Sequence, residues 1–184
     1  MQGIGAGTTP LEISGDGSTI VGVTGPSNNR PFTWTQGGGL QFLPSLDGTG
    51  AGSASGINFD GSIIVGRSGS SLRPTMWVGG NPIDLTIGSA GILSLGASAV
   101  NDDGTVVAGQ AQVISNGNLT AGIWTPGTGI MALSDYLTAN GVLIPEGYRF
   151  FTCTAVSADG LTFAGYGSFP GFGDNGFVAT IPPP

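Results

Sequence analysis

One ten-residue pattern occurs four times in this chain, and it limits what the chain can fold into more than any other feature. It reads apolar residue, two small or polar residues, Asp-Gly, a short spacer, two apolar residues, Gly. The copies are residues 13–22 (ISGDGSTIVG), 57–66 (INFDGSIIVG), 100–109 (VNDDGTVVAG) and 156–165 (VSADGLTFAG). Asp-Gly between two apolar runs is a strong hairpin signal, because a type I′ turn needs positive φ at both of its central residues. Asp16-Gly17, Asp60-Gly61, Asp103-Gly104 and Asp159-Gly160 are therefore read as turns, each with positive φ.

The Asp-Gly pairs recur at spacings of 44, 43 and 56 residues. A period of about 40–45 residues is that of one four-stranded propeller blade per repeat. Each unit continues with a loop and an aromatic-bearing strand around Trp34, Trp77 or Trp124, with Ala179 in that register in the fourth copy. A Gly-marked turn and a short apolar run close the first three units, at 40–43, 82–87 and 130–133. The expected fold is all-β: four repeats of about 44 residues, each a four-stranded antiparallel sheet, in a propeller-like arrangement. The units fall at about 8–46, 52–88, 96–133 and 152–181, in a single repeat domain, with an insertion at 134–150. Trp34, Trp77 and Trp124 share a register and are expected to fill the spaces between sheets. A sugar-stacking platform is the alternative, and it requires rings that face solvent.

The repeated ISxDGSxxVG followed by a Trp strand resembles the HAF family of bacterial extracellular repeats, over nearly all of residues 8–181. The end of the chain, 177–184 (FVATIPPP), is similar to the segment that precedes the sorting tail of PEP-CTERM exported proteins, with Pro-Pro-Pro where those carry Pro-Glu-Pro. The resemblance implies export, a β-propeller-like fold and an extracellular or cell-surface location. It brings no catalytic residues with it.

Gly is 36 of 184 residues, yet the apolar strands recur regularly and most glycines fall at turns, which argues for a folded β-protein and against low complexity. Four Arg, no Lys and no His face nine Asp and two Glu, for a net charge of -7. That balance excludes a phosphate-backbone binder, so no nucleic-acid partner is expected. No run of 18 apolar residues is present, and so no membrane-spanning helix is expected. Residues 1–12 lack the basic start and apolar core of a signal peptide, so in an exported protein either Met1 is an added start or the chain is a mature fragment.

The missing His excludes Ser-His-Asp and Cys-His chemistry and His-ligated metals. The missing Lys excludes Schiff bases and the Walker-type phosphate loop. Cys153, alone, forms no internal disulfide and reads as a small buried strand residue. Asp102-Asp103-Gly104 lacks the spacing of a calcium loop. No catalytic residue, cofactor or metal is expected. A carboxylate pair remains, as in glycoside hydrolysis, with Asp47, Asp84, Asp135, Glu146 and Asp174 as candidates that no spacing brings together. Asn118-Leu119-Thr120 is a formal glycosylation sequon without meaning in a bacterial chain.

The insertion holds a short helix, 134–141, that Ser134 caps and Asn140-Gly141 ends. It either covers one end of the sheet stack or carries the binding face. The fourth unit lacks a fourth strand. Phe177, Val178, Ala179, Thr180 and Ile181 are then an unpaired edge, and such an edge invites another chain. Residues 2–7 could fold back to fill it, but their glycines make a poor strand. The function expected is that of a non-enzymatic extracellular β-repeat protein, a structural self-assembling subunit or an interaction module. The alternatives are a carbohydrate-binding propeller module or a carboxylate-based glycoside hydrolase. Self-association is the expected partnership, with a glycan or a surface protein as further partners.

Overall fold

The computed structural model describes residues 3–25, 29–87, 92–113 and 117–183, with only the backbone described at 92–95 and 113. The chain is all-β and propeller-like. It forms four antiparallel sheets in succession, each built from consecutive strands in sequence order. The first holds β1 (Thr8–Ile13), β2 (Thr19–Thr24), β3 (Arg30–Thr35) and β4 (Gly39–Phe42). The second holds β5 (Gly52–Ile57), β6 (Ile63–Ser68), β7 (Arg73–Val78) and β8 (Asn81–Asp84). The third holds β9 (Ile92–Val100), β10 (Val107–Val113), β11 (Leu119–Thr125) and β12 (Gly129–Ala132). The fourth has three strands, β13 (Arg149–Val156), β14 (Thr162–Phe169) and β15 (Gly173–Thr180), with β15 at its edge. Strands β9 and β13 start a few residues before the 96 and 152 that the repeat predicts. Both extend away from the Asp-Gly turn and pair with lengthened second strands.

The first strands of successive sheets adjoin one another, so β1, β5, β9 and β13 form the inner edge. Three apolar clusters fill three spaces. Val21, Leu43, Ile64 and Trp77 lie between sheets one and two. Val65, Met76, Leu85 and Val107 lie between sheets two and three. Ala108, Ile123, Cys153 and Phe163 lie between sheets three and four. None of the three lies between sheets four and one, so the four sheets form an open arc.

Each motif copy builds the same hairpin, with one correction to its turn type. Gly17, Gly61, Gly104 and Gly160 have φ of 73°, 76°, 74° and 75°, as expected. The preceding Asp residues do not have positive φ, for Leu72 is the one non-glycine with it among the described residues. The turns are thus not type I′. In each, the Gly N–H donates to the carbonyl three residues back, on Ser14, Asn58, Asn101 or Ser157. Ser or Asn first and Gly fourth is the type I pattern. The reason is the Asp side chain: its Oδ1 accepts the N–H two residues on, at 2.9 Å from Ser18, Ser62 and Thr105 and 3.0 Å from Leu161. That bond holds the Asp in an Asx turn.

The last Gly of each motif copy has a separate cause. A Cβ at Gly22, Gly66, Gly109 or Gly165 would lie 2.2, 2.0, 2.1 or 2.0 Å from a carbonyl oxygen of the neighbouring first strand. The register shifts beside each of these pairs, leaving Leu11, Ser55, Ser98 and Thr154 as the extra residues of four equivalent β-bulges. A bulge bends its strand and brings the two backbones close, so only Gly fits opposite it.

Candidate functional site

The structure separates the sequence-predicted residues into a scaffold and an open end. The Asp-Gly turns belong to the scaffold. They form a row along the inner edge, and each bonds the next. Asp16 N–H donates to Phe59 O at 3.0 Å. Asn58 Nδ2 donates to Asp102 O at 2.9 Å, and Asp102 N–H donates to Ala158 O at 3.1 Å. Hydroxyl and backbone donors around each carboxylate lower its pKa: Ser14 and Ser18 at Asp16, Ser62 at Asp60, Thr105 at Asp103, Ser157 and Leu161 at Asp159. Such carboxylates are structural acceptors, too acidic for general acid work at neutral pH.

A fifth turn of this kind, outside the four motif copies, lies in the link between sheets one and two. Gly48 N–H donates to Ser45 O, and Thr49 N–H and Oγ1 donate to Asp47 Oδ1. The signal was present as Ser-x-Asp-Gly-Thr-Gly at 45–50, without the flanking apolar pair. Asp47 Oδ2 also accepts Ser70 N–H at 2.7 Å, and with the bonds from Thr49 this drives its pKa well below the ordinary range. Asp84 forms an ion pair with Arg73 and accepts from Thr86. Asp47 thus ties the link to sheet two, and Asp84 braces sheet two itself. Asp135, Glu146 and Asp174 lie on the helix, the insertion and β15. No group of three or more metal-ligating side chains gathers among the described residues.

The aromatics share the expected register: Trp34 pairs with Ile20, Trp77 with Ile64, Trp124 with Val107, and Ala179 with Phe163. Their environments differ. Trp77 is fully buried against sheet one, and its Nε1 donates to Pro44 O at 2.7 Å. Trp124 is partly buried against sheet two. Trp34 is also partly buried, but it faces away from sheet two and is not part of the cluster between sheets one and two. Cys153 is buried as expected, and burial pushes its thiol up to about 12.

The open end is the fourth sheet with the insertion. Helix α1 (Leu133–Ala139) starts one residue before the expected 134, and Ser134 does not cap it. The start follows burial: Leu133 and Leu137 are both fully buried in the cluster between sheets three and four. Asn140 and Gly141 end it as expected, with Gly141 at φ 81°. The insertion therefore packs across the space between sheets three and four and does not cover an end face of the stack. It also walls grooves. One of about 250 Å³ runs between Val142, Ile144 and Pro145 on one side and Phe177, Val178 and Ala179 of β15 on the other. A second of about 310 Å³ continues past Tyr148 to Phe172. Tyr148, Phe150, Phe169 and Phe177 form an edge-to-face aromatic floor, with centroids 4.7–6.4 Å apart. Leu143, Phe172 and Val178 are 95%, 75% and 73% exposed around it. An edge strand beside an apolar groove is the geometry of strand addition: the edge supplies main-chain bonds and the groove takes alternate side chains. Residues 3–7 do not fill this edge. Gly7 O accepts Gly25 N–H, and Gly5 lies beside Leu40 on the first sheet.

No protein-family model and no curated protein matches the chain. Solved structures do. A TolB from Acinetobacter baumannii superposes with a TM-score of 0.60 at 15% identity, over 94% of this chain and 40% of that one. A putative TolB from Agrobacterium tumefaciens superposes with a TM-score of 0.59 at 14% identity, over 96% of this chain and 62% of that one. The fold is that of the TolB-like β-propellers. The chain spans about two-fifths and three-fifths of the length of these two neighbours. Among the described residues no helix is long and apolar enough to cross a membrane.

Proposed function

We propose that this chain is a non-enzymatic, exported propeller-type interaction module that associates with copies of itself. One observation carries the reading: β15 ends the fourth sheet as an edge strand, and an apolar groove with exposed Leu143, Phe172 and Val178 borders it. Exposed edges of this kind are normally blocked by charge, and Asp174 is the only charged residue on β15. A non-enzymatic role is supported by the chain's lack of His and Lys and by the structural bonds that occupy Asp47 and Asp84. The HAF-type motif and the PEP-CTERM-like end support export to the cell surface.

Light scattering coupled to gel filtration, with hydrogen exchange on β15, tests the reading. Mass above 18.2 kDa that grows with concentration, together with slowed exchange at 177–180, is expected. A constant monomer mass with fast exchange at β15 would refute it. Half-buried Trp34 favours carbohydrate binding as a second reading. Glycan-array binding that Trp34→Ala abolishes would establish that alternative.

A further inference from the structure

A groove of about 420 Å³ separates sheets three and four, at the strand ends opposite the Asp-Gly turns. The starts of β11, α1 and β13 line it, with Asn118, Thr120, Ser134, Tyr148, Arg149 and Phe151 among them. That volume is within the roughly 300–1,000 Å³ of small-molecule sites.

A break in the repeat opens this groove. The residue four before each repeat Trp is Arg30 in sheet one, Arg73 in sheet two and Thr120 in sheet three. Arg30 lies against the link to sheet two. Its guanidinium carbon sits 3.9 Å from the Phe42 ring centroid, and a Cβ on Gly50 would meet its Nε at 3.1 Å. Gly52 N–H also donates to Asn29 O there, at 2.6 Å, which closes the first junction. Arg73 is held by Asp84. Thr120 bonds sheet four through its Oγ1, which donates to Phe150 O at 3.2 Å, and leaves the space beyond it unfilled.

The cation of this junction comes from the other side. Arg149, on β13, is exposed, is the one charged residue of the lining, and takes no ion pair among the described residues. Asp135 and Glu146 do not line the groove. The net charge of -7 repels anions, but salt screens it over about 8–10 Å, so the guanidinium in the groove outweighs it at contact. A guanidinium is a planar fork that matches a carboxylate. One such cation suits a single carboxylate better than a doubly charged phosphate. Tyr148 and Phe151 add ring surface, and Asn118, Thr120 and Ser134 add an amide and two hydroxyls that suit a hydroxylated ring.

We propose that this groove binds a carboxylated sugar, a uronic acid, with its carboxylate on Arg149. The site goes beyond the self-association reading. Tyr148 and Phe150 also border the β15 groove, but Arg149 and Thr120 line only this one.

Calorimetric titration of the full chain with galacturonic acid, its oligomer and galactose tests the site. Galacturonic acid is expected to bind, and galactose, which lacks the carboxylate, at least about tenfold more weakly. Tighter binding of the oligomer than of the monomer would mark a polymer as the source, and otherwise the free acid. Arg149→Ala is expected to weaken galacturonate at least about tenfold, and Arg149→Lys, which keeps the charge and loses the fork, to recover only part. Arg67→Ala, at an exposed Arg of β6 outside the groove, is expected to change nothing. Circular dichroism and melting of each variant verify the fold. No binding of either acid, galactose as tight as galacturonate, or Arg149→Ala as tight as the parent would overturn the site. The parent's mass on gel filtration tests self-association independently.

Discussion

Removing the indole of Trp77 tests the inter-sheet packing most directly. Its side chain is fully buried between sheets one and two, against Val21, Leu43, Ala54 and Ile64. A buried Trp removes roughly 200 Å² from water. At about 25 cal/mol/Å² that is about 5 kcal/mol, of which Ala retains a small part. Measured large-to-small core truncations of this kind cost about 3–5 kcal/mol. Trp77→Ala also leaves Pro44 O without the Nε1 donor at 2.7 Å, which adds about 1 kcal/mol. The expected loss is about 4–6 kcal/mol, a large share of the ~5–15 kcal/mol stability of a typical domain. Trp34→Ala is the internal control. It sits at the same register with no sheet packed over it, so its cost should be well under half, about 1–2 kcal/mol. Urea unfolding followed by circular dichroism measures both, provided the slopes stay equal. Equal losses for Trp77 and Trp34, or the reverse order, would refute the assignment of faces.

Gly104→Val should cost about 2–4 kcal/mol, because φ is 74° and the new Cβ would lie 2.7 Å from Ile63 Cδ1. Gly17→Val, at φ 73° in open space, should cost only the backbone part, and thermal melts of the pair separate the two. The lowered carboxylates Asp16, Asp60, Asp103 and Asp159 are more acidic folded than unfolded, so their contribution is present above about pH 4 and is lost as pH falls below it. The melting temperature should therefore be level from neutral pH to about 5 and fall below about 4, and Asp103→Asn should flatten that fall; an unchanged acid limb in the variant would count against the Asx turns. Cys153, buried with its thiol at about 12, should not react with a thiol reagent at pH 8 until the chain is unfolded.

The repeat made the architecture legible because each element of the motif has a local physical cause. Asp-Gly marks a turn wherever it sits, and the 44-residue spacing counts the sheets. The turn type was not legible, because Asp-Gly suits both a type I′ turn and an Asx-held type I turn. The Ser or Asn two residues before each Asp decided between them, at Ser14, Asn58, Asn101 and Ser157. The bulges were written in the last Gly of every copy, but a Gly in a strand has several uses, and only the carbonyls 2.0–2.2 Å from each absent Cβ identify this one. The open edge at β15 followed from counting strands, but Ile181, expected on that edge, lies past the strand, buried, with its N–H donating to Leu161 O at 2.8 Å. The difference between Trp34 and Trp77 did not, since equivalent positions in a repeat diverge only through their neighbours.

That divergence says what the end sheets lack. In an array of repeats, stability is close to a sum over units and the interfaces between neighbours, and end units normally carry polar outer faces. Here four sheets make three interfaces, and both end faces keep the apolar residues of an internal one: Ile13, Ile20 and Trp34 at one end, Ala164 and Val178 at the other. With only 8% charged residues, the chain has few side chains to guard either face.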